Sequence, residues 1–344
     1  MMKAALTRRS MTLGTAAISL AACATPDVSF AETTERIDFD RFVIDITRQP
    51  DETLSIWPEQ APGRDAVDLT EHRVERQNSF GLPDRAALDV TAPSLSYFRS
   101  ENFSGNTILL IPGGGYQRVV VEKEGWEGAR YFNQFGYDVY VMTYRLPFQG
   151  WPSGADTPLQ DAQRAMRVLR SHNANTHGSE TNILAIGFSA GGHLAGSLNQ
   201  RFADTVYDPV DALDELSAKP DITAMVYPVV LMGSEHTHAG SQNSLLGDNP
   251  AEDQIQAYDL TRNVNPDSPP LFLLHALDDT SVVMENSMEL MNAYRDADVP
   301  AVLHIFEHGG HGFGMRGIEN TPLEDWPGLL MNWAAENGLP PTPR

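Results

Sequence analysis

The chain has 344 residues, 41% of them hydrophobic and 20% charged, with a formal net charge of −22 at pH 7. That length and composition suit a soluble globular protein with a large core and exclude a disordered or fibrous chain. So acidic a body would repel a phosphate backbone rather than displace its counterions, so no nucleic-acid partner is expected.

Taken in chain order, the first predicted element is an export signal. The start "MMKAALTRRSMTLGTAAISLAACA" carries Lys3, Arg8 and Arg9 and then an apolar run to about Ala24. That run is too short to span a bilayer. Thr7-Arg8-Arg9 resembles a twin-arginine start, an ordinary basic leader being the alternative. The run ends in "LAAC", which resembles a lipobox and would place a lipid on Cys23, the chain's one cysteine; cleavage after "ACA" or "SFA" would instead remove that residue. Residues 1–31 are therefore set apart from a single domain over 32–344. The expected location is outside the cytoplasm, periplasmic or membrane-anchored as a lipoprotein, with membrane contact only through the lipid.

From "TERIDFD" to about residue 100 the chain is charged and turn-rich, with "LTEHRVERQ" and "SLSYFR" as short strands between irregular stretches. The pattern then changes. "NTILLIP", "YDVYVMTYR", "NILAIGF", "ITAMVYPVVL", "PLFLLHA" and "AVLHIFE" read as strands buried on both faces. Helical spacing runs through "EGWEGARYFNQFG", "PLQDAQRAMRVLRSH", "AGGHLAGSLNQRFA", "MENSMELMNAYRDA" and "EDWPGLLMNWAAEN". This alternation predicts an α/β fold with a mostly parallel central sheet flanked by helices. Two longer stretches, between "NQRFA" and "AKPDI" and from "GSEHTHAGSQ" to "TRNVNP", are expected to lie over the sheet as substrate-facing walls.

"GFSAGG" puts Ser189 between a strand run and a helix run, the setting of a nucleophile elbow. A phosphate-cradling loop is the other reading, but no G-K-[ST] ending follows. A serine nucleophile needs a base and an orienting carboxylate. "LDDTSVV" and "HGGHGF" supply them after later strand runs, in the order Ser, Asp, His of α/β-hydrolases. His311 is preferred over His308 and His304 because glycines surround it, and Asp279 over Asp278 as the acid. The glycine loop of "ILLIPGGGYQRV" is expected to offer oxyanion donors, Gly114 first and Gly113 second, with the Ala190 amide. His236 and His238 form an H-x-H pair, read as loop surface rather than a metal site. No metal and no cofactor are expected.

Beyond these residues, "IWPEQAPG", "IPGGGYQRVVVEKEG", "VYVMTYRLP", "GFSAGGHLA", "SLLGDNP", "PPLFLLHALDDTSVVMENSM" and "FEHGGHGFGM" together resemble bacterial acetyl esterases and acetylxylan esterases of the α/β-hydrolase fold. The resemblance spans about Ile56 to Trp333. It implies a serine carboxylesterase, a carbohydrate esterase removing short acyl groups, acetyl foremost, from polysaccharide or oligosaccharide such as xylan through an acyl-enzyme on Ser189. It also implies that the acid is the aspartate four residues after His275, which is Asp279. Two positions depart from the group: Lys123-Glu124-Gly125 stands where "HEG" is frequent, and Val283 where proline is common. Tyr116 and Trp126, beside the glycine loop, are expected to wall the acyl pocket. The expected partner is an acylated carbohydrate or a small ester. The alternatives are an exopeptidase of the prolyl-oligopeptidase type, or a catalytically silent glycan-binding protein on a hydrolase scaffold.

Overall fold

The structure, a computed structural model, describes residues 44–342; the expected leader and Cys23 lie outside the described residues. Ten strands are described, eight of them in one sheet: β1 (Glu52–Ser55), β4 (Ser94–Phe98), β5 (Asn106–Ile111), β6 (Asp138–Thr143), β7 (Asn182–Phe188), β8 (Ile222–Val226), β9 (Leu271–Ala276) and β10 (Ala301–Phe306). The spatial order is β1-β4-β6-β5-β7-β8-β9-β10, parallel from β6 to β10 and antiparallel at β1 and β4. β2 (His72–Glu75) and β3 (Arg85–Leu88) form a separate antiparallel pair. The six apolar runs all become strands, and five of them are buried at nearly every position, as a sheet covered on both faces requires. β10, at the edge, is half-exposed.

Alternation along these strands divides the core in two. Leu109, Ile111, Tyr140, Met142 and Ile183 face α2 (Thr157–His177) and α3 (Ala190–Arg201). Leu271 and Leu273 meet α6 (Glu285–Asp296) through Leu290. On the opposite face, Ile108, Leu110, Val139, Leu184, Ile186 and Phe272 pack with α1 (Glu127–Asn133) and with Trp326 and Leu330 of α7 (Trp326–Glu336). This is the α/β-hydrolase arrangement that the sequence predicts. Two short helices, α4 (Ala239–Leu246) and α5 (Glu252–Tyr258), lie in the second of the long stretches. Neither follows from helical spacing, because a single turn or two presents too few apolar repeats to register.

The irregular segment before β5 is tied to this body by buried arginines. Arg145 donates to the Pro62 carbonyl at 2.6 Å, Arg164 to Ile56 at 2.8 Å, and Arg130 to Arg48 at 2.7 Å, while Arg316 donates to Pro83. Loop carbonyls need donors when buried, and a guanidinium has five. Arg145 is also paired with Asp161, both side chains being fully buried, and Asp161 takes the Trp57 indole N–H at 2.8 Å and the Arg145 backbone N–H at 2.8 Å. Asp161→Ala would strand a buried guanidinium, a loss of about 3–5 kcal/mol by analogy with other broken buried pairs. A clear fall in the urea midpoint of unfolding is expected, with an unchanged midpoint counting against the role given to this pair.

Candidate active site

Parallel strands deliver their following loops to one sheet edge, and four of those loops build the site. After β7 the chain turns sharply into α3 at Ser189, whose backbone adopts φ 52°, ψ −120°. The flanking glycines are required by close packing: a Cβ on Gly187 would lie 2.3 Å from the Gly191 carbonyl oxygen, and one on Gly191 2.2 Å from the Ile111 oxygen. The Ser189 N–H donates to the Val226 oxygen at 3.1 Å, and its own carbonyl accepts from His193 and Val229.

His311, after β10, places Nε2 2.9 Å from the Ser189 Oγ and Nδ1 2.7 Å from the Asp279 Oδ2. Because a carboxylate can only accept, the Nδ1 carries the proton and Nε2 is left to take one from the serine. Asp279, after β9, is buried; its Oδ1 accepts the N–H groups of Ser281 and Val282 at 2.9 and 3.0 Å. His275 Nε2, which donates to the Val282 carbonyl at 2.8 Å, lies 3.4 Å from the same carboxylate. Burial pushes the Asp279 carboxyl up, but hydrogen bonds from His275 and His311 outweigh it and hold it well below the usual carboxylate range. Asp278 has a different place. It accepts from the N–H groups of Gly309 and Gly310 at 2.9 and 2.8 Å and meets His308 at 3.3 Å, so it shapes the histidine loop.

The glycine loop after β5 lies against the serine: a Cβ on Gly113 would fall 2.9 Å from the Ser189 Cβ. Here the structure corrects one expectation. The Gly113 N–H is donated to Glu124 Oε2 at 2.8 Å and is not available to an oxyanion. Among the hydrogen bonds of the described residues none takes the N–H of Gly114 or of Ala190, which opens α3 and so has no carbonyl one turn back. Gly114 sits at φ +131°, where a side chain is strained and a Cβ would meet the Arg118 oxygen at 2.3 Å.

Tyr116 and Trp126 are corrected as well. Both are buried in the core, at 1% and 4% exposure, in clusters on opposite faces of the sheet, which leaves no surface to wall a pocket. The Tyr116 hydroxyl donates to His193 Nδ1 at 2.8 Å, the other ring nitrogen of His193 being engaged by the Tyr258 carbonyl. Trp126 is covered by the Arg85 guanidinium 4.6 Å from its ring centre. His238, read as loop surface, is half-buried and caps α4, its Nδ1 accepting from the Ser241 N–H at 3.1 Å. Burial lowers its pKa, and the field of His311 adds to that.

Two site residues escaped the sequence reading. Glu124 belongs to a single π-helical turn, Glu122–Trp126, and is buried. Besides holding Gly113, it accepts from the Tyr227 hydroxyl through Oε1 at 3.0 Å, and that hydroxyl accepts from the Gly314 N–H at 3.1 Å. Tyr227, fully buried at φ 41°, stands edge-on to His311 with ring centres 5.0 Å apart. One carboxylate thus joins the glycine loop to the histidine loop. The only sequence signal for Glu124 is its place in "KEG"; no local pattern marks Tyr227.

A family model named BD-FAE matches residues 97–294, which carry the glycine loop, Ser189 and Asp279. The chain belongs to the BD-FAE family of α/β-hydrolases. It is 32% identical over 224 residues to endo-1,4-beta-xylanase B of Butyrivibrio fibrisolvens and 28% identical over 221 residues to an acetylxylan esterase of Xylanibacter ruminicola. These matches cover 65% and 63% of this chain but only 35% and 43% of those proteins. Among solved structures, an acetyl ester-xyloside bifunctional hydrolase from Caldicellulosiruptor lactoaceticus is 30% identical with a TM-score of 0.67, over 85% of this chain and 98% of that one. A carboxylesterase from Lactobacillus plantarum, at 20% identity and a TM-score of 0.58 over 79% and 98% of the two chains, shares the fold.

Glu124→Ala should let the glycine loop drift, and a displacement near 1 Å costs on the order of 100-fold in rate. Glu124→Gln, which keeps an acceptor for one of the two donors, should lose less, and Tyr227→Phe should fall between. Steady-state kcat for a small ester, with circular dichroism to verify folding, checks the ranking.

Proposed function

We propose that the protein is a serine carboxylesterase that releases short acyl groups, acetyl foremost, from xylan or related oligosaccharides. One observation carries this: the continuous chain from the Ser189 Oγ through His311 to the buried Asp279, beside two amides that no hydrogen bond among the described residues engages. Ser189 Oγ attacks the acyl carbon as its proton passes to His311 Nε2. The charge that develops on the acyl oxygen is met by the N–H groups of Ala190 and Gly114. The bond to the sugar oxygen then breaks, His311 returns the proton to that oxygen, and the acyl group stays on Ser189. Water attacks the ester by the same route and frees the acid. No step needs a metal or a cofactor. The acetyl preference draws support from the acetylxylan esterase and the acetyl ester hydrolase that the chain is similar to, not from Tyr116 or Trp126.

Ser189→Ala and His311→Ala should each lower kcat by at least about 1000-fold with the fold intact, since only the oxyanion amides and substrate binding remain. Asp279→Asn should cost more than Asp278→Asn. A fluorophosphonate should label Ser189 in the wild type and nothing in Ser189→Ala. Labelling without release of acetate from acetylated xylan would keep the serine hydrolase and discard the substrate.

We also propose export, with lipidation at Cys23 or cleavage beyond it, on the strength of the basic and apolar leader. Mass spectrometry of the native protein should find a diacylated Cys23 at the N-terminus, or an unmodified start near Thr25 or Glu32. A retained Met1 would overturn export.

A further inference from the structure

Among the described residues two aromatic rings are strongly exposed, Phe80 at 51% and Phe148 at 52%. Each lines a cleft, that of Phe80 shared with His311 and that of Phe148 with the residues that follow the glycine loop. Phe148 sits with Val74, Gln117, Arg118, Asn243 and Ser244 around a cleft of about 560 Å³. Gln117 and Arg118 continue from the glycine loop that lies against Ser189, and Gln117 donates to the Gly114 carbonyl. Phe80 sits with Lys123, His308, His311, Asn320 and Thr321 around a second cleft of about 720 Å³. His311 is the residue bonded to Ser189. The first cleft is thus bounded by residues that follow the glycine loop and the second by the histidine loop, and these two loops approach Ser189 at Gly113 and at His311.

An exposed ring set in a cleft among polar side chains is a surface suited to a ligand that has both an apolar face and hydroxyl groups. The rims are of matching composition: amide and hydroxyl side chains beside an exposed ring. Gln117 and Ser244 meet at 3.4 Å, a long bond that a better partner would replace at little cost. An equatorially substituted pyranose has the complementary surface, flat C–H faces that stack on an aromatic ring and hydroxyls around the rim that pair with amides. Arg118 is the one charged side chain on the first cleft, while Lys123 and Arg316 share the second with Asp278 and Glu307.

We propose that the two clefts are sugar subsites of one groove crossing Ser189, and that Phe80 and Phe148 are stacking platforms for a β-linked xylo-oligosaccharide chain. The proposal rests on the esterase reading and extends it from the bond that is cut to the glycan that carries the bond. It makes the enzyme sensitive to chain length on both sides of the acylated sugar, which a single-sugar pocket would not be.

The test compares acetate release from acetylated xylobiose and xylohexaose by the wild type, Phe80→Ala and Phe148→Ala, and calorimetric binding of unacetylated xylohexaose to Ser189→Ala with and without each second change. Wild-type kcat/KM should rise with chain length. Each phenylalanine change should reduce the ratio of hexamer to dimer kcat/KM by about 3- to 10-fold, the size of one aromatic contact, through KM. Xylohexaose should bind Ser189→Ala and lose affinity to the same degree in the double variants. Equal wild-type rates on dimer and hexamer, or variants that keep the full ratio, would overturn the subsites while acetate release upheld the esterase. Binding of xylohexaose without any acetate release would do the reverse. Self-association lost in either variant, with glycan binding intact, would assign the rings to a protein contact and also overturn the proposal.

Discussion

The backbone at Ser189 is the constraint on which the rest of the site depends. A non-glycine residue at φ 52°, ψ −120° carries a cost of order 1–3 kcal/mol and persists only where its surroundings leave no alternative. Those surroundings are the ends of β7 and β8. The Ser189 N–H is taken by Val226, its carbonyl by His193 and Val229, and the adjoining glycines press α3 against the end of β5. Because both strands are buried on both faces, the turn inherits the stiffness of a close-packed core. The serine is held away from its own helix and toward the imidazole of His311.

A second constraint works through a buried carboxylate. Taking Glu124 out of water is costly unless its oxygens find donors, and the two it finds belong to different loops: the Gly113 amide and the Tyr227 hydroxyl. Engaging Gly113 in this way leaves Gly114 and Ala190 as the unpartnered donors beside the serine. Through Gly314, Tyr227 carries the same restraint to the histidine loop, while Asp278 closes that loop from outside by binding Gly309 and Gly310. The two neighbouring aspartates are separated in character by burial: Asp279 faces inward to two imidazoles, and Asp278 faces solvent and backbone amides.

The irregular segment before β5 is held in yet another way. Its strands are short and mostly peripheral, so backbone pairing alone leaves carbonyls without donors. Arg130, Arg145, Arg164 and Arg316, all buried and all carboxylate-paired, reach across to those carbonyls. The chain is strongly acidic in sum, yet several of its 24 cationic side chains are spent inside, where they order loops.

Much of the architecture is legible in the sequence. Six apolar runs became strands within a residue or two of their expected ends, except "ITAMVYPVVL", of which only Ile222–Val226 is strand, the turn at Tyr227 and Pro228 ending it. Ser189, Asp279 and His311 could be singled out because each follows such a run, and parallel strands bring all such positions to one edge. What the sequence could not decide was everything that depends on which face a residue meets and what else reaches the same point. Tyr116 and Trp126 stand beside the glycine loop in the chain but turn into opposite halves of the core; Gly113 and Gly114 look alike until Glu124 claims one of their amides; His238, 73 residues before His311, comes to rest near it. Local pattern determines periodicity, turn chemistry and burial, which are properties of a few consecutive residues. Partners of a buried polar group come from distant segments, and only the closed tertiary structure selects them.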